Sequence, residues 1–130
     1  PVLLPEKNKE IAAMITKEKA DGMIVGGDSL IWGGIDAYIT QAIKEKIPLA
    51  AFDLTQVTQG ALIGIGPDYT YVGQQAGTLT HQILRGTSPA TIAIQVPKKL
   101  ILAVNVTTAR AIGITFSNDL LKRVDVVIGK

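Results

Sequence analysis

Three aspartates stand where short apolar runs end. Met23–Val25 leads into Gly26-Gly27-Asp28-Ser29, Leu49–Phe52 into Asp53, and Ala61–Ile65 into Gly66-Pro67-Asp68-Tyr69. A carboxylate accepts hydrogen bonds and pairs with cations, so such a set suits a ligand carrying an amine. The same side chains also cap helices, by accepting bonds from the first N–H groups of a helix. For Asp28-Ser29 the two readings stand level. Asp53 is equally open, because an aspartate after a strand often forms a turn.

Other chemistry finds few residues to run it. The sequence has no cysteine, which excludes disulfides, thiolate zinc sites and cysteine nucleophiles. His81 is its one histidine and lies off the apolar stripe of its helix, so it reads as a surface residue with no serine–aspartate set around it. The carboxylates are scattered, and no metal cluster is expected. Gly64-Ile65-Gly66-Pro67-Asp68-Tyr69 starts like a dinucleotide loop. Tyr69 takes the place of the third glycine, however, and Pro67 removes a backbone donor. There is no phosphate-cradling loop with Gly-Lys-Ser or Gly-Lys-Thr. No catalytic residue, metal or cofactor is assigned. Trp32 reads as a core or hinge packer, Tyr69 and Tyr71 as packing residues at a helix start, and Lys98-Lys99 as a solvated turn.

Strands and helices must alternate to hold the aspartates. A helix opening at Pro5 or Asn8 carries Ile11, Met14 and Ile15, after an apolar stub at Val2–Leu4. Met23–Val25 is a strand, and Ser29 is placed to cap the next helix. Ile35, Ile39, Ala42 and Ile43 set that helix from about Gly34 to Lys46. Strand Leu49–Phe52, a polar turn Thr55–Gln59 and strand Ala61–Ile65 come next. Pro67 and Asp68 suit the first turn of a helix that runs to Leu84, with the stripe Val72, Ala76, Leu79 and Ile83. Ile92–Val96 and Leu100–Val104 read as strands, Thr107–Ile112 and Asn118–Arg123 as helices, and Val126–Ile128 as a last strand. The order predicts a parallel sheet with helices on both faces and right-handed crossovers, and a ligand beyond the carboxyl ends of the strands.

Composition agrees with one α/β domain. In 130 residues, 47% are hydrophobic and 18% charged, and the mean hydropathy is +0.30. The net charge of +2 is too small for nucleic acid to be the main partner. No apolar run nears the roughly 20 residues of a membrane helix. The chain opens on Pro1 rather than Met, which reads as a processed product or a cut-out segment.

The residues also resemble a family. Ala20-Asp21-Gly22-Met23-Ile24-Val25-Gly26-Gly27-Asp28-Ser29 resembles a strand-to-helix segment of bacterial ABC-transporter substrate-binding proteins, the group with tryptophan- and tyrosine-type uptake components. Ile47-Pro48-Leu49 and Gln59-Gly60-Ala61-Leu62 follow at the family's spacing. Gly66-Pro67-Asp68-Tyr69 with Gly73-Gln74-Gln75 is similar to its helix start, and Ile83-Leu84-Arg85-Gly86-Thr87-Ser88-Pro89-Ala90 to that helix's end. Asn105-Val106 with Ala109, Ala111 and Gly113 matches its closing pattern. Thr70 and Gln74 stand where the family has a tyrosine and an arginine, and Asp53 where it often has a small polar residue.

The resemblance implies an α/β, type I periplasmic-binding-protein-like fold, with this chain as the carboxyl-terminal half of two lobes. Residues 1–63 would be a βαβ segment of the second lobe. Residues 64–130 would hold the crossover and the C-terminal hinge and lobe elements, the helix from Asp68 belonging to the first lobe. The implied function is solute binding for an ABC importer, without chemistry, in a cleft between lobes. The ligand would be small and amino-acid-like. Asp28 would pair with its amine, Ser29 would hydrogen-bond it, Asp53 would line the cleft, and Asp68 with Tyr69 would set the hinge. The partners would be the solute and an ABC permease, in the periplasm or outside the cell, with a lipid anchor as one option. An isolated half is expected to self-associate. Two other classes stand beside this one: an effector-binding domain of a regulator with the same fold, and a small α/β enzyme fragment.

Overall fold

The computed structural model describes residues 7–129. The expected stub Val2–Leu4 and a helix start at Pro5 lie outside them. The elements are α1 (Asn8–Ala13), β1 (Met23–Ile24), α2 (Ser29–Trp32), α3 (Ile35–Glu45), β2 (Leu49–Ala51), α4 (Leu54–Gln59), β3 (Ile63–Pro67), α5 (Tyr69–Leu84), a 3-10 turn at Pro89–Thr91, β4 (Leu100–Asn105), α6 (Val106–Ile112), α7 (Asn118–Arg123) and β5 (Val126–Ile128).

The strands form one sheet in the order β1-β2-β3-β4-β5. β1 with β2, β2 with β3, and β4 with β5 pair in parallel. β4 runs the other way beside β3: Leu62 O accepts from Asn105 N, while Asp68 N donates to Lys99 O, so partner numbers fall as the chain advances. The expected parallel sheet therefore has one antiparallel pair. The chain separates into two compact units, one of residues up to Gly66 and from Leu102 onward, the other Pro67–Ile101. The chain leaves the first unit along β3 and returns along β4.

In the first unit, α3 supplies the main covering stripe. Ile35, Ile39 and Ala42 are buried, as their spacing predicts, against Leu49, Ala51, Val57, Ala61 and Ala103. Each fully buried large aliphatic side chain contributes roughly 1.5–3 kcal/mol. Lys46 takes the left-handed conformation at φ 54° and ends α3 in place of a glycine. The strands alternate: Val25, Leu49, Ala51 and Gly64 are buried, whereas Ile24, Phe52 and Ile65 are 75%, 50% and 45% exposed. Ile24, Ala50, Phe52, Ile63, Ile65 and Leu102 line an open apolar groove of about 270 Å³. Helices were expected on both faces, but at this groove the described residues leave the sheet uncovered.

Thr55–Gln59, expected as a turn, belongs to helix α4. Asp53 caps it, Val57 anchors it at 0% exposure, and Gly60 ends it at φ 129°. The polar letters Thr-Gln-Thr-Gln hid one buried face. The third strand begins at Ile63 rather than Ala61 and includes Pro67, so α5 starts at Tyr69 with Asp68 as its cap.

In the second unit α5 has no buried residue. Part of its expected stripe, Val72, Ala76 and Leu79, lines a groove with Gln95, Val96 and Pro97. Gln75 reinforces this contact: its Nε2 donates to Gln95 Oε1, and its Oε1 accepts from Lys98 N, both at 3.3 Å. Ile92–Val96 is irregular, not a strand, and Ile94 is 99% exposed. Without a ladder to join, the run is tied at its ends instead: Ile92 N donates to Pro89 O at 3.2 Å, and Val96 O accepts from Gln75 Nε2 at 3.4 Å.

Candidate functional site

Asp28 and Asp53 follow adjacent parallel strands, so both stand beyond the carboxyl end of this part of the sheet. Ligands of open α/β sheets bind at that end. Asp28 is exposed and is the N-cap of α2: its Oδ1 accepts from Leu30 N at 2.8 Å and Ile31 N at 3.4 Å. Its Oδ2 has no hydrogen-bond partner among the described residues. The residue thus caps a helix and also presents a carboxylate oxygen, so the two readings coexist. Ser29 is not the cap; it is the first helical residue and is exposed. Gly26 and Gly27 precede them with open space where a Cβ would stand.

Asp53 is 4% exposed, and its Oδ1 accepts from Thr55 N at 2.6 Å. Gly66 lies over this turn, where a Cβ would press on Phe52 O at 2.6 Å and on Asp53 Cα at 3.2 Å. The Asp53 carboxylate is therefore sealed against its own helix start, while neighbouring Phe52 faces outward.

Trp32 ends α2 and is 42% exposed rather than packed in a core. Sequence reasoning set it aside; its place four residues after Asp28 on a one-turn helix was the available signal. α2 is held from behind. Asn8 Nδ2 donates to Leu30 O at 2.8 Å, and Tyr38 Oη donates to Asn8 Oδ1 at 3.0 Å.

Asp68 and Tyr69 belong to the second unit. Asp68 caps α5 by accepting from Tyr71 N at 3.1 Å, and its Oδ2 lies 2.7 Å from Lys99 Nζ. The Lys99 hydrogen bond, helped by that from Tyr71 N, holds the carboxyl below the usual carboxylate range. Tyr69 is 60% exposed. His81 is exposed, as expected. Among the described residues no group of three His, Asp or Glu side chains could hold a metal ion, and no helix is long and apolar enough to cross a membrane.

Residues 3–128 match the family described as ABC transporter substrate binding protein. The chain belongs to that family. A tyrosine-binding protein of Clostridioides difficile is 30% identical over 107 residues, 82% of this chain and 30% of that protein. An uncharacterized protein of Rickettsia prowazekii is 32% identical over 95 residues, 73% of this chain and 31% of that protein. Among solved structures, a conserved domain protein of Vibrio cholerae superposes with a TM-score of 0.86 at 28% identity, over 97% of this chain and 42% of that one. The ABC domain of a Streptococcus pneumoniae protein in complex with L-Trp gives a TM-score of 0.82 at 24% identity, over 96% and 43%. At that identity it speaks for the fold. This substrate-binding family chain thus spans about a third of its curated relatives and about two fifths of these structures. The α/β, type I periplasmic-binding-like fold implied by the resemblance is the one observed.

Proposed function

We propose that the chain forms one wall of the solute cleft of an ABC importer and binds a small amino acid without catalysing a reaction. The observation that carries this is Asp28: an exposed carboxylate with an uncommitted Oδ2 at the strand ends where ligands of such sheets bind. Oδ2 pairs with the ligand's ammonium. Ser29 offers a hydroxyl beside it, and the exposed rings of Trp32 and Phe52 give apolar surface. The ligands named for two relatives, tyrosine and L-Trp, fit an ammonium partner with aromatic surface. Asp53 acts indirectly, by fixing the turn that carries Phe52. Asp68 and Tyr69 set the start of a hinge segment. The cleft's other wall, the permease contact and an extracytoplasmic location belong to the protein at its relatives' length. On its own, the chain self-associates through its open apolar groove.

The test is an NMR titration of the chain with L-tryptophan and L-tyrosine, and with 3-indolepropionate as an amine-free control. Half a cleft binds weakly, so millimolar solute is used. Amide shifts at Asp28–Trp32 with the amino acids, absent with the control, support the reading. A charge-assisted hydrogen bond is worth about 1.5–3 kcal/mol, so Asp28→Asn weakens binding roughly 10- to 100-fold. Equal shifts with the amine-free control would refute the role of Asp28.

A further inference from the structure

Asn8 stands twenty residues before Asp28 yet is tied to the same short helix. It is 5% exposed, and its amide is used at both ends. Nδ2 donates to Leu30 O at 2.8 Å, and Oδ1 accepts from Tyr38 Oη at 3.0 Å. Leu30 is also the residue whose N–H donates to Asp28 Oδ1. One residue of α2 is thus gripped from both sides, by Asn8 on its carbonyl and by Asp28 on its amide. Gly34 leaves the room for this: a Cβ there would overlap the Asn8 side chain. Tyr38 closes the arrangement from α3, and burial pushes its hydroxyl's pKa upward, so it stays a neutral donor.

The need for such a clamp comes from the size of α2. Four residues cannot sustain a helix on propensity, since the first turn fixes several dihedrals for one hydrogen bond. None of its residues is buried. What keeps the turn in place is its cap, its external bonds and the contact of half-buried Ile31 with the core. Gly26 and Gly27 add no restraint just before Asp28.

We infer that Asn8, seated between Tyr38 and Gly34, is a positioning residue that holds α2 so that Asp28 presents its carboxylate in one fixed direction. Its effect on the ligand rests on the reading of Asp28 given above; its effect on α2 does not. Asn8→Asp separates the two bonds: it keeps an acceptor for Tyr38 and puts a carboxylate against the Leu30 carbonyl. Tyr38→Phe is milder and leaves the Asn8–Leu30 bond in place.

The test is residue-resolved amide exchange on the 130-residue chain, followed by the L-tryptophan titration. In Asn8→Asp the Leu30 and Ile31 amides exchange at least tenfold faster, while Ile39 and Ala42 in α3 change less than twofold. Tyr38→Phe gives the same pattern with a smaller factor, and stands in if the first variant fails to fold. An equal rise at all four amides, or none at any, overturns the inference, because either makes Asn8 an ordinary core residue. In the titration, Asn8→Asp weakens L-tryptophan about tenfold. If L-tryptophan leaves wild-type Asp28–Trp32 unmoved while the exchange pattern holds, the reading of Asp28 fails and the clamp on α2 stands. If L-tryptophan binds and Asn8→Asp leaves its affinity intact, the clamp has no bearing on the ligand and the inference fails.

Discussion

Asp68 and Lys99 meet twice. The backbone N of Asp68 donates to the Lys99 carbonyl at 3.0 Å, and Lys99 Nζ lies 2.7 Å from Asp68 Oδ2. The same carboxylate caps α5 through its other oxygen, at Tyr71 N. One side chain therefore joins the end of β3, the start of β4 and the first turn of the long helix.

This sets an acid limit on the second unit. The Asp68 carboxyl titrates below the usual carboxylate range in the folded chain, mainly through Lys99. A depressed folded pKa means that the stabilisation is fully present above the unfolded value of about 3.9 and is lost as pH falls below it. Asp68→Asn keeps an acceptor for Tyr71 N and removes the charge. The expected result is a wild-type α5 signal that weakens below about pH 4, and an Asp68→Asn signal that is weaker at neutral pH but flatter with acid. Amide NMR of Tyr71–Gln75 between neutral pH and strong acid reads this directly. Identical pH profiles in the two proteins would refute the role of the pair.

Asp53 makes a separate prediction about the first unit. Its carboxylate is buried and accepts from Thr55 N at 2.6 Å. Removing a cap costs about 1 kcal/mol, up to about 2. Asp53→Ala should lower the urea midpoint accordingly, and Asp53→Ser should restore most of it. Direct ligation by Asp53 would show differently, as lost solute affinity in Asp53→Ser with stability intact.

Much of this was legible in the letters. The stripe Ile35, Ile39, Ala42 has a 3.6-residue period, and the resulting helix buries those residues. Asn118–Arg123 and Val126–Ile128 form with the expected ends, because Ser117 caps the first and a β-rich run makes the second. α4 was hidden, since its buried positions include a glutamine, and α2 was hidden because only four residues stand between its cap Asp28 and Gly33-Gly34. The strand expected at Ile92–Val96 has strand composition but no ladder, and pairing is not written in a single segment. The aspartates were visible as a set. Their division between two units is not written in the residues Gly66-Pro67-Asp68 themselves; the family resemblance alone implied that the helix from Asp68 lies in another lobe. Asn8 was legible as a helix start, but its hold on α2 was not, because its partners lie 22 and 30 residues away.

Gln56 is the hidden glutamine of α4. It is 3% exposed, and neither Oε1 nor Nε2 has a hydrogen-bond partner among the described residues. A buried polar group left unsatisfied costs about 1–3 kcal/mol, and an apolar group of similar shape avoids that cost. Gln56→Leu should therefore raise stability by about 1 kcal/mol in urea unfolding. A loss of stability would mean that the amide finds a partner in solution. If added L-tryptophan then protects wild type but not Gln56→Leu, that partner is the solute.

The last prediction concerns the groove that the sheet leaves open. Ile24, Phe52 and Ile65 are 75%, 50% and 45% exposed on it, with Leu102 completing one apolar wall. Apolar patches of this kind mark contact surfaces or become association sites. Water released from such a face favours pairing in proportion to the apolar area covered, at roughly 25 cal/mol per Å². The isolated chain should thus scatter light with about twice its 13.8 kDa mass or more as concentration rises. Ile65→Lys places a charge in the middle of the groove without disturbing the buried alternation of Gly64 and Gly66. It should return the chain to a monomer while the amide spectrum of α3 stays unchanged. A clean monomer for the unaltered chain at high concentration would show that the exposed residues are too dispersed to hold a partner.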